Sequence, residues 1–147
     1  MRNAEFGMPN AERTEAVNQP DLKKRTKAFA LRILKLVDAL PKTTAGRALS
    51  SQIVRSGTSV AANYRAACRA KSTADFIAKM SIVEEEADET LFWLELLKES
   101  KLVPAAKLTA IKQEANELIA ITVASIKTAR RNRRANSAFR TPNSAVA

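Results

Sequence analysis

Four arginines, Arg47, Arg55, Arg65 and Arg69, recur at spacings that bring them to one side of a helix. At 100° per residue they fall within roughly 80° of one another and face away from Leu49, Ile53, Val60 and Tyr64. A row spread over about 33 Å, at 1.5 Å per residue, can track a phosphate backbone. Lys23, Lys24, Lys27 and Lys35 lie upstream and widen the patch. A second cationic run, Lys127-Thr-Ala-Arg130-Arg131-Asn-Arg133-Arg134, is followed by Arg140. One or two cations suit a helix C-terminus through its dipole alone, but five arginines from Arg130 to Arg140 exceed that need. Any one of these residues reads equally well as part of a solvated face. As a set they point to a polyanionic partner.

Other chemistries find less support. The 147 residues include no His, which removes imidazole general bases, Ser/His triads and Glu-x-x-His metal pairs. One cysteine, Cys68, allows neither an internal disulfide nor a Cys-based zinc site and suits a reducing cytoplasm. Cys68 and Tyr64 sit on or beside an apolar helix face and read as packing residues rather than as a nucleophile and a base-stacking ring. The run Glu84-Glu85-Glu86 with Asp88 and Glu89 invites a carboxylate metal site. Consecutive residues on a helix diverge, however, and no matching carboxylate pair lies on a facing helix, so no metal or cofactor is expected. No catalytic residue is assigned, and the chain reads as non-enzymatic.

The net charge of +10 is unevenly placed. Residues 21–72 carry 12 basic and 2 acidic side chains, 73–103 carry 3 and 8, and 104–147 carry 8 and 2. Residues 1–20 are polar, without the apolar core of a signal peptide, and no uncharged run is long enough to span a bilayer.

The elements that would hold these residues are helices. Glycine is scarce, and the prolines interrupt the chain at only a few places. A first helix over 22–40 carries Phe29, Ile33, Leu36, Val37 and Leu40 on one side and stops before Pro41. A second over 44–71, capped by Thr43 or Thr44, turns Leu49, Ile53, Val60, Tyr64 and Ala67 inward. Gly57 in its middle costs roughly 1 kcal/mol relative to Ala, for which close helix approach or a bend would compensate. A third over 73–99 opens at Ser72 and Asp75 and carries Phe76, Met80, Val83, Ala87, Thr90, Leu94 and Leu97, spaced by four and three. A fourth over 104–132 starts at Pro104 and carries Leu108, Ile111, Ala115, Leu118, Thr122, Ser125 and Ala129. Short connections make neighbours antiparallel, so the fold class is all-α, an up-down-up-down four-helix bundle over 21–133. Residues 1–20 are expected to form a disordered arm, and 134–147 a disordered basic and polar tail.

The third helix is apolar on more than its seam. Ile82, Phe92, Trp93 and Leu96 project to its far or flanking sides, and a helix apolar on two sides requires a second partner. Loops or terminal arms can supply that cover, but Trp and Phe are typical anchors between subunits, and self-association through these four residues is the stronger reading. The Glu and Arg surfaces would then pair across copies, closing a ring if the contact is head-to-tail.

Three segments in order resemble a known bacterial family: Ser51-Gln-Ile-Val-Arg55-Ser-Gly-Thr-Ser-Val60-Ala-Ala-Asn63-Tyr-Arg65, then Ser72-Thr-Ala-Asp75-Phe76-Ile-Ala-Lys-Met80-Ser-Ile82, then Glu85-Glu-Ala-Asp88-Glu-Thr-Leu91-Phe-Trp93-Leu94. The chain is similar over about residues 25–130 to the four-helix-bundle intervening-sequence proteins, first associated with insertions in large-subunit ribosomal RNA genes. Many members carry Glu-Gly where this chain has Ala66-Ala67. The resemblance implies a ring-shaped homopentamer. A related group, the accessory variability proteins of diversity-generating retroelements, shares the fold and the pentamer, binds nucleic acid and partners a reverse transcriptase. The resemblance supplies no catalytic residues. Together the residues and the resemblance lead to a cytoplasmic, non-enzymatic oligomer that binds RNA or DNA, with a reverse transcriptase as a further expected partner. A protein-docking scaffold is the alternative.

Overall fold

The computed structural model describes residues 19–140, which form helices α1 (Gln19–Asp38), α2 (Thr44–Ala67), α3 (Thr73–Glu99) and α4 (Ala105–Arg140). Residues 1–18 of the arm expected over 1–20, and residues 141–147 of the tail expected over 134–147, lie outside the described residues; Gln19 and Pro20, expected in the arm, open α1. The third helix has the expected bounds. The first and second end earlier because their last residues close into tight i→i+3 turns: Ala39 and Leu40 donate to Leu36 O and Val37 O, and Arg69 and Ala70 to Ala66 O and Ala67 O. The fourth runs past 132 to Arg140, where the expectation placed a tail. No glycine or proline interrupts residues 105–140, so nothing local forces a stop.

Side-chain caps start two of the helices. Thr43 Oγ1 accepts the Gly46 N–H ahead of α2, and Ser72 Oγ accepts the Asp75 N–H ahead of α3. Asp75 in turn accepts the Lys71 N–H and the Lys79 ammonium, and these bonds hold its carboxyl below the usual aspartate range, Lys79 foremost. After α3 the chain reverses at Lys101, whose φ of 60° is the left-handed geometry that ends many helices.

Each helix packs on its sequence neighbour, and α4 returns to α1 along a thinner seam. The core contains Phe29 and Ile33 from α1, Ile53, Val60 and Tyr64 from α2, Met80, Leu94 and Leu97 from α3, and Leu108 and Leu118 from α4. The α3 seam is buried from Met80 to Leu97 as its spacing requires, with Phe76 half-buried at its start. In α4 the inner position after Thr122 is taken by Ile126, while Ser125 and Ala129 are half-buried. A straight helix of 3.6 residues per turn drifts off a strict four-three alternation, and the larger apolar side chain turns inward.

Two contacts set how the helices meet. A Cβ on Gly57 would lie 2.8 Å from Ile33 Cγ1 and 2.9 Å from Cγ2, so α1 and α2 approach closely there. Between α2 and α3, Thr90 Oγ1 donates to Ser56 Oγ at 2.9 Å in a fully buried position. A one-turn slip would leave both hydroxyls buried without each other.

Candidate nucleic-acid interface

Helix α2 contains no acidic residue, and its three arginines, Arg47, Arg55 and Arg65, are exposed; Arg69, expected on the same helix, is exposed in the turn that follows it. Arg65 and Arg69 have no carboxylate partner among the described residues, and Arg47 donates at 2.7 Å to the Lys42 carbonyl, which leaves its charge uncompensated. Arg55 differs. One guanidinium nitrogen lies 3.5 Å from Glu86 Oε2, and another donates to Glu89 Oε1, both on α3. The hydrogen bond to Glu89 is the main cause of the raised Arg55 pKa. Glu89 is held below the ordinary glutamate range, first by Arg55 and further by the Trp93 indole N–H, which donates to it at 3.3 Å. Glu86 Oε2 is shielded from water and accepts no hydrogen bond beyond that 3.5 Å approach. Arginine and glutamate therefore meet within one chain here, where the sequence reading had them meeting across copies. Three arginines of the row keep an unpaired charge.

On α1, Lys23, Lys24, Lys27 and Lys35 are all exposed, and so is Arg32. The same surface shows Leu31 and Leu34, 59% and 41% exposed, which the sequence reading passed over. Their positions off the Phe29/Ile33/Val37 stripe were the available signal. Arg25 was missed as well: it donates to both carboxylate oxygens of Glu114 at 3.0 Å and to Glu117 at 2.7 Å, clamping the thin α1–α4 seam. These bonds, Glu114 first, raise its pKa. No local pattern announces a pair separated by almost the whole bundle.

The arginine run at the end of α4 is helical. Arg130, Arg131, Arg133 and Arg134 are exposed, and so is every residue from 133 to 139, including Phe139 at 91%. Solvent thus reaches all sides of nearly two helical turns, and no acidic residue follows Glu117.

The outer face of α3 carries the opposite charge. Glu85, Asp88, Glu95 and Glu99 are exposed around Ile82 and Phe92, which are 40% and 49% exposed. Trp93 and Leu96 are only half-buried; Trp93 packs against the core with its ring centroid 5.0 Å from that of Phe92. Of the four residues expected to anchor a partner, Ile82 and Phe92 therefore show the most surface.

Among the described residues no three His, Cys, Asp or Glu side chains are grouped as metal ligands. An open groove of about 550 Å³ along α4 is lined by Lys98, Thr109, Lys112, Gln113, Asn116 and Glu117, with no second carboxylate and no nucleophile beside a base. Tyr64 is a core residue whose hydroxyl pKa is pushed up, chiefly by burial and then by its hydrogen bond with Cys68. No described helix is long and apolar enough to cross a membrane.

Residues 18–124 match the family model of the 23S rRNA-intervening sequence protein. A solved structure of a protein with unknown function, from the S23 ribosomal protein family of Bacteroides thetaiotaomicron, is 36% identical. It aligns with a TM-score of 0.71 over 75% of this chain and 98% of its own. No curated protein matches the chain. The family match ends before Lys127, so the arginine-rich end of α4 lies beyond it.

Proposed function

The chain belongs to the 23S rRNA-intervening sequence protein family, and from that premise we propose that it is a non-enzymatic, self-associating bundle that binds RNA through unpaired arginines. One observation carries the reading: Arg47, Arg65, Arg69, Arg130, Arg131, Arg133 and Arg134 are exposed, and none has a carboxylate partner among the described residues. Structural ion pairing, the ordinary use of surface arginine, accounts for Arg25 and Arg55 but not for these seven.

Self-association is supported by complementary surfaces. The acidic α3 face exposes Ile82 and Phe92, and the basic α1 face exposes Leu31 and Leu34. Apolar patches ringed by opposite charge suit a head-to-tail contact, which closes into a ring when the rotation permits. The family resemblance extends the proposal to a ring of five copies and to a reverse transcriptase as protein partner.

RNA binding is tested by titrating labelled RNA with the full chain across a salt series. Seven neutralised phosphates give a slope of log affinity against log salt of roughly −5 to −6, so affinity falls roughly 1,000- to 4,000-fold between 50 and 200 mM. Absent binding at low salt, or affinity flat across that range, would sink the proposal. Self-association is tested by sedimentation: Phe92→Ser with Ile82→Ser should lower the mass of the assembly, and an unchanged mass removes α3 from the contact. A partner protein retained from lysate after nuclease treatment, with no RNA affinity in the pure chain, would replace this reading with that of a protein scaffold.

A further inference from the structure

We infer that the cationic side of the end of α4, Lys127 to Arg134, enters the major groove of an RNA helix that a bulge or internal loop has widened. The inference rests on the RNA-binding reading above and assigns the form of RNA recognised. The two cationic surfaces differ in how their charges are arranged. The α2 row is confined to roughly 80° on the side of a packed bundle, which suits one phosphate strand laid along it. At the end of α4, Arg133, Arg130, Arg134, Lys127 and Arg131 follow one another around roughly 160° of the helix at 100° per residue. The remaining side, Asn132, Ala135, Asn136 and Phe139, carries no charge.

Cations fanned over such an arc cannot all reach a single strand. They reach phosphates on both sides of the helix at once, as the two walls of a groove present them. Lys127, Arg130 and Arg131 are exposed, while Thr128, Ala129 and Asn132 on the uncharged side are half-buried. From Arg133 to Phe139 every residue is exposed, whereas α4 before them is built into the core at Leu118, Thr122 and Ile126; the cationic side is thus open along the whole run and its last two arginines stand clear of the bundle. No carboxylate from residue 118 onward opposes the phosphates.

Dimensions decide the kind of groove. A helix with its side chains is about 10–12 Å across. The major groove of a regular A-form RNA duplex is deep and narrow and closed to side chains. A bulge or internal loop interrupts that regularity and opens the groove. The major groove of B-form DNA, about 12 Å wide, would also admit a helix, so DNA is an arm of the test. RNA is the committed ligand because it is the ligand of the proposed function above, in a family whose model is named for the 23S rRNA intervening sequence. The family match stops at residue 124, so this mode of recognition belongs to this chain's own C-terminal segment.

The test measures anisotropy of three labelled duplexes: a continuous RNA duplex, the same RNA with a three-nucleotide bulge, and a continuous DNA duplex. The full chain should bind the bulged RNA at least about tenfold more tightly than the other two. Arg130→Gln, Arg131→Gln, Arg133→Gln and Arg134→Gln combined should erase that preference and reduce the salt slope by roughly three to four. Arg65→Gln with Arg69→Gln should weaken both RNAs equally and keep the preference. The four substituted positions are exposed, and an unchanged circular-dichroism melt confirms that the bundle is intact. Equal affinity for bulged and continuous RNA, a preference that survives the fourfold variant, or DNA bound as tightly as bulged RNA would each overturn the inference while leaving RNA binding in place. No binding of any RNA by the unaltered chain would instead overturn the reading on which it rests.

Discussion

Gly57→Ala sets two effects of similar size against each other. Alanine in a helix interior gains about 1 kcal/mol over glycine, which favours the variant. The added methyl, however, would stand 2.8 Å, 2.9 Å and 3.2 Å from Cγ1, Cγ2 and Cβ of Ile33, a side chain with no exposure to solvent. These atoms belong to a β-branched side chain close to its backbone, so α1 must move away, and overpacking of that kind costs about 1–3 kcal/mol. The net expectation is a loss of about 0–2 kcal/mol where propensity alone predicts a gain. A double-mutant cycle separates the terms. Ile33→Ala removes both γ carbons and should cost about 2–5 kcal/mol in the native background. In the Gly57→Ala background it should cost about 1–3 kcal/mol less, because the two contacts below 3 Å disappear and the new methyl fills part of the cavity. Urea unfolding of the full chain at one fixed protein concentration measures all four corners, since association adds to apparent stability. Stabilisation by Gly57→Ala, with the two substitutions additive to within about 0.5 kcal/mol, would refute the close approach of α1 and α2.

Gly46→Ala should be at least as damaging as Gly57→Ala, because its Cβ would fall on the Pro41 carbonyl oxygen, part of the turn backbone and unable to swing aside; an unchanged urea midpoint would contradict that geometry. The depressed pKa of Glu89 means that the folded chain binds fewer protons than the unfolded chain as pH falls through the carboxyl range. Its contribution is therefore fully present above the ordinary glutamate value of 4.5 and is lost as pH drops below it, so Glu89→Gln should flatten the fall of Tm between pH 6 and pH 3. Asp75, also depressed, acts in the same direction and should leave part of that fall in place. A Tm profile unchanged by Glu89→Gln would show that the Arg55 pair contributes nothing to folding.

Much of the framework can be read along the chain because it rests on local periodicity. Met80, Val83, Ala87, Thr90, Leu94 and Leu97 recur at helical spacing, and all are buried. Ser72 with Asp75 marks the start of α3 where the cap is found. Periodicity says less about an element that stops packing before it stops being helical. After Ile126 the α4 sequence loses its apolar stripe and reads as fraying, yet nothing in its composition breaks a helix, and the backbone continues to Arg140. The arginine row was recognisable from its spacing, but the difference within it was not. Arg55 and Arg65 look alike in sequence, and only the position of α3 against α2 gives the first a pair of carboxylates and leaves the second facing water.

Helix number, helix order, the inward face of each helix and the uneven distribution of charge follow from residue types and their spacing along single helices. Those properties depend on contacts within about one turn, and the order of residues encodes them directly. Relations between helices are of another kind. The seating of Ile33 against Gly57, the Ser56–Thr90 register, the Arg25 clamp on Glu114 and Glu117, and the division of arginines into paired and unpaired arise between residues far apart in the chain. Each depends on helix rotation and axial offset, which close packing of the whole core sets to within a fraction of a turn. The net charge of +10 is a property of composition; which cations remain available to a polyanion is a property of the packed bundle.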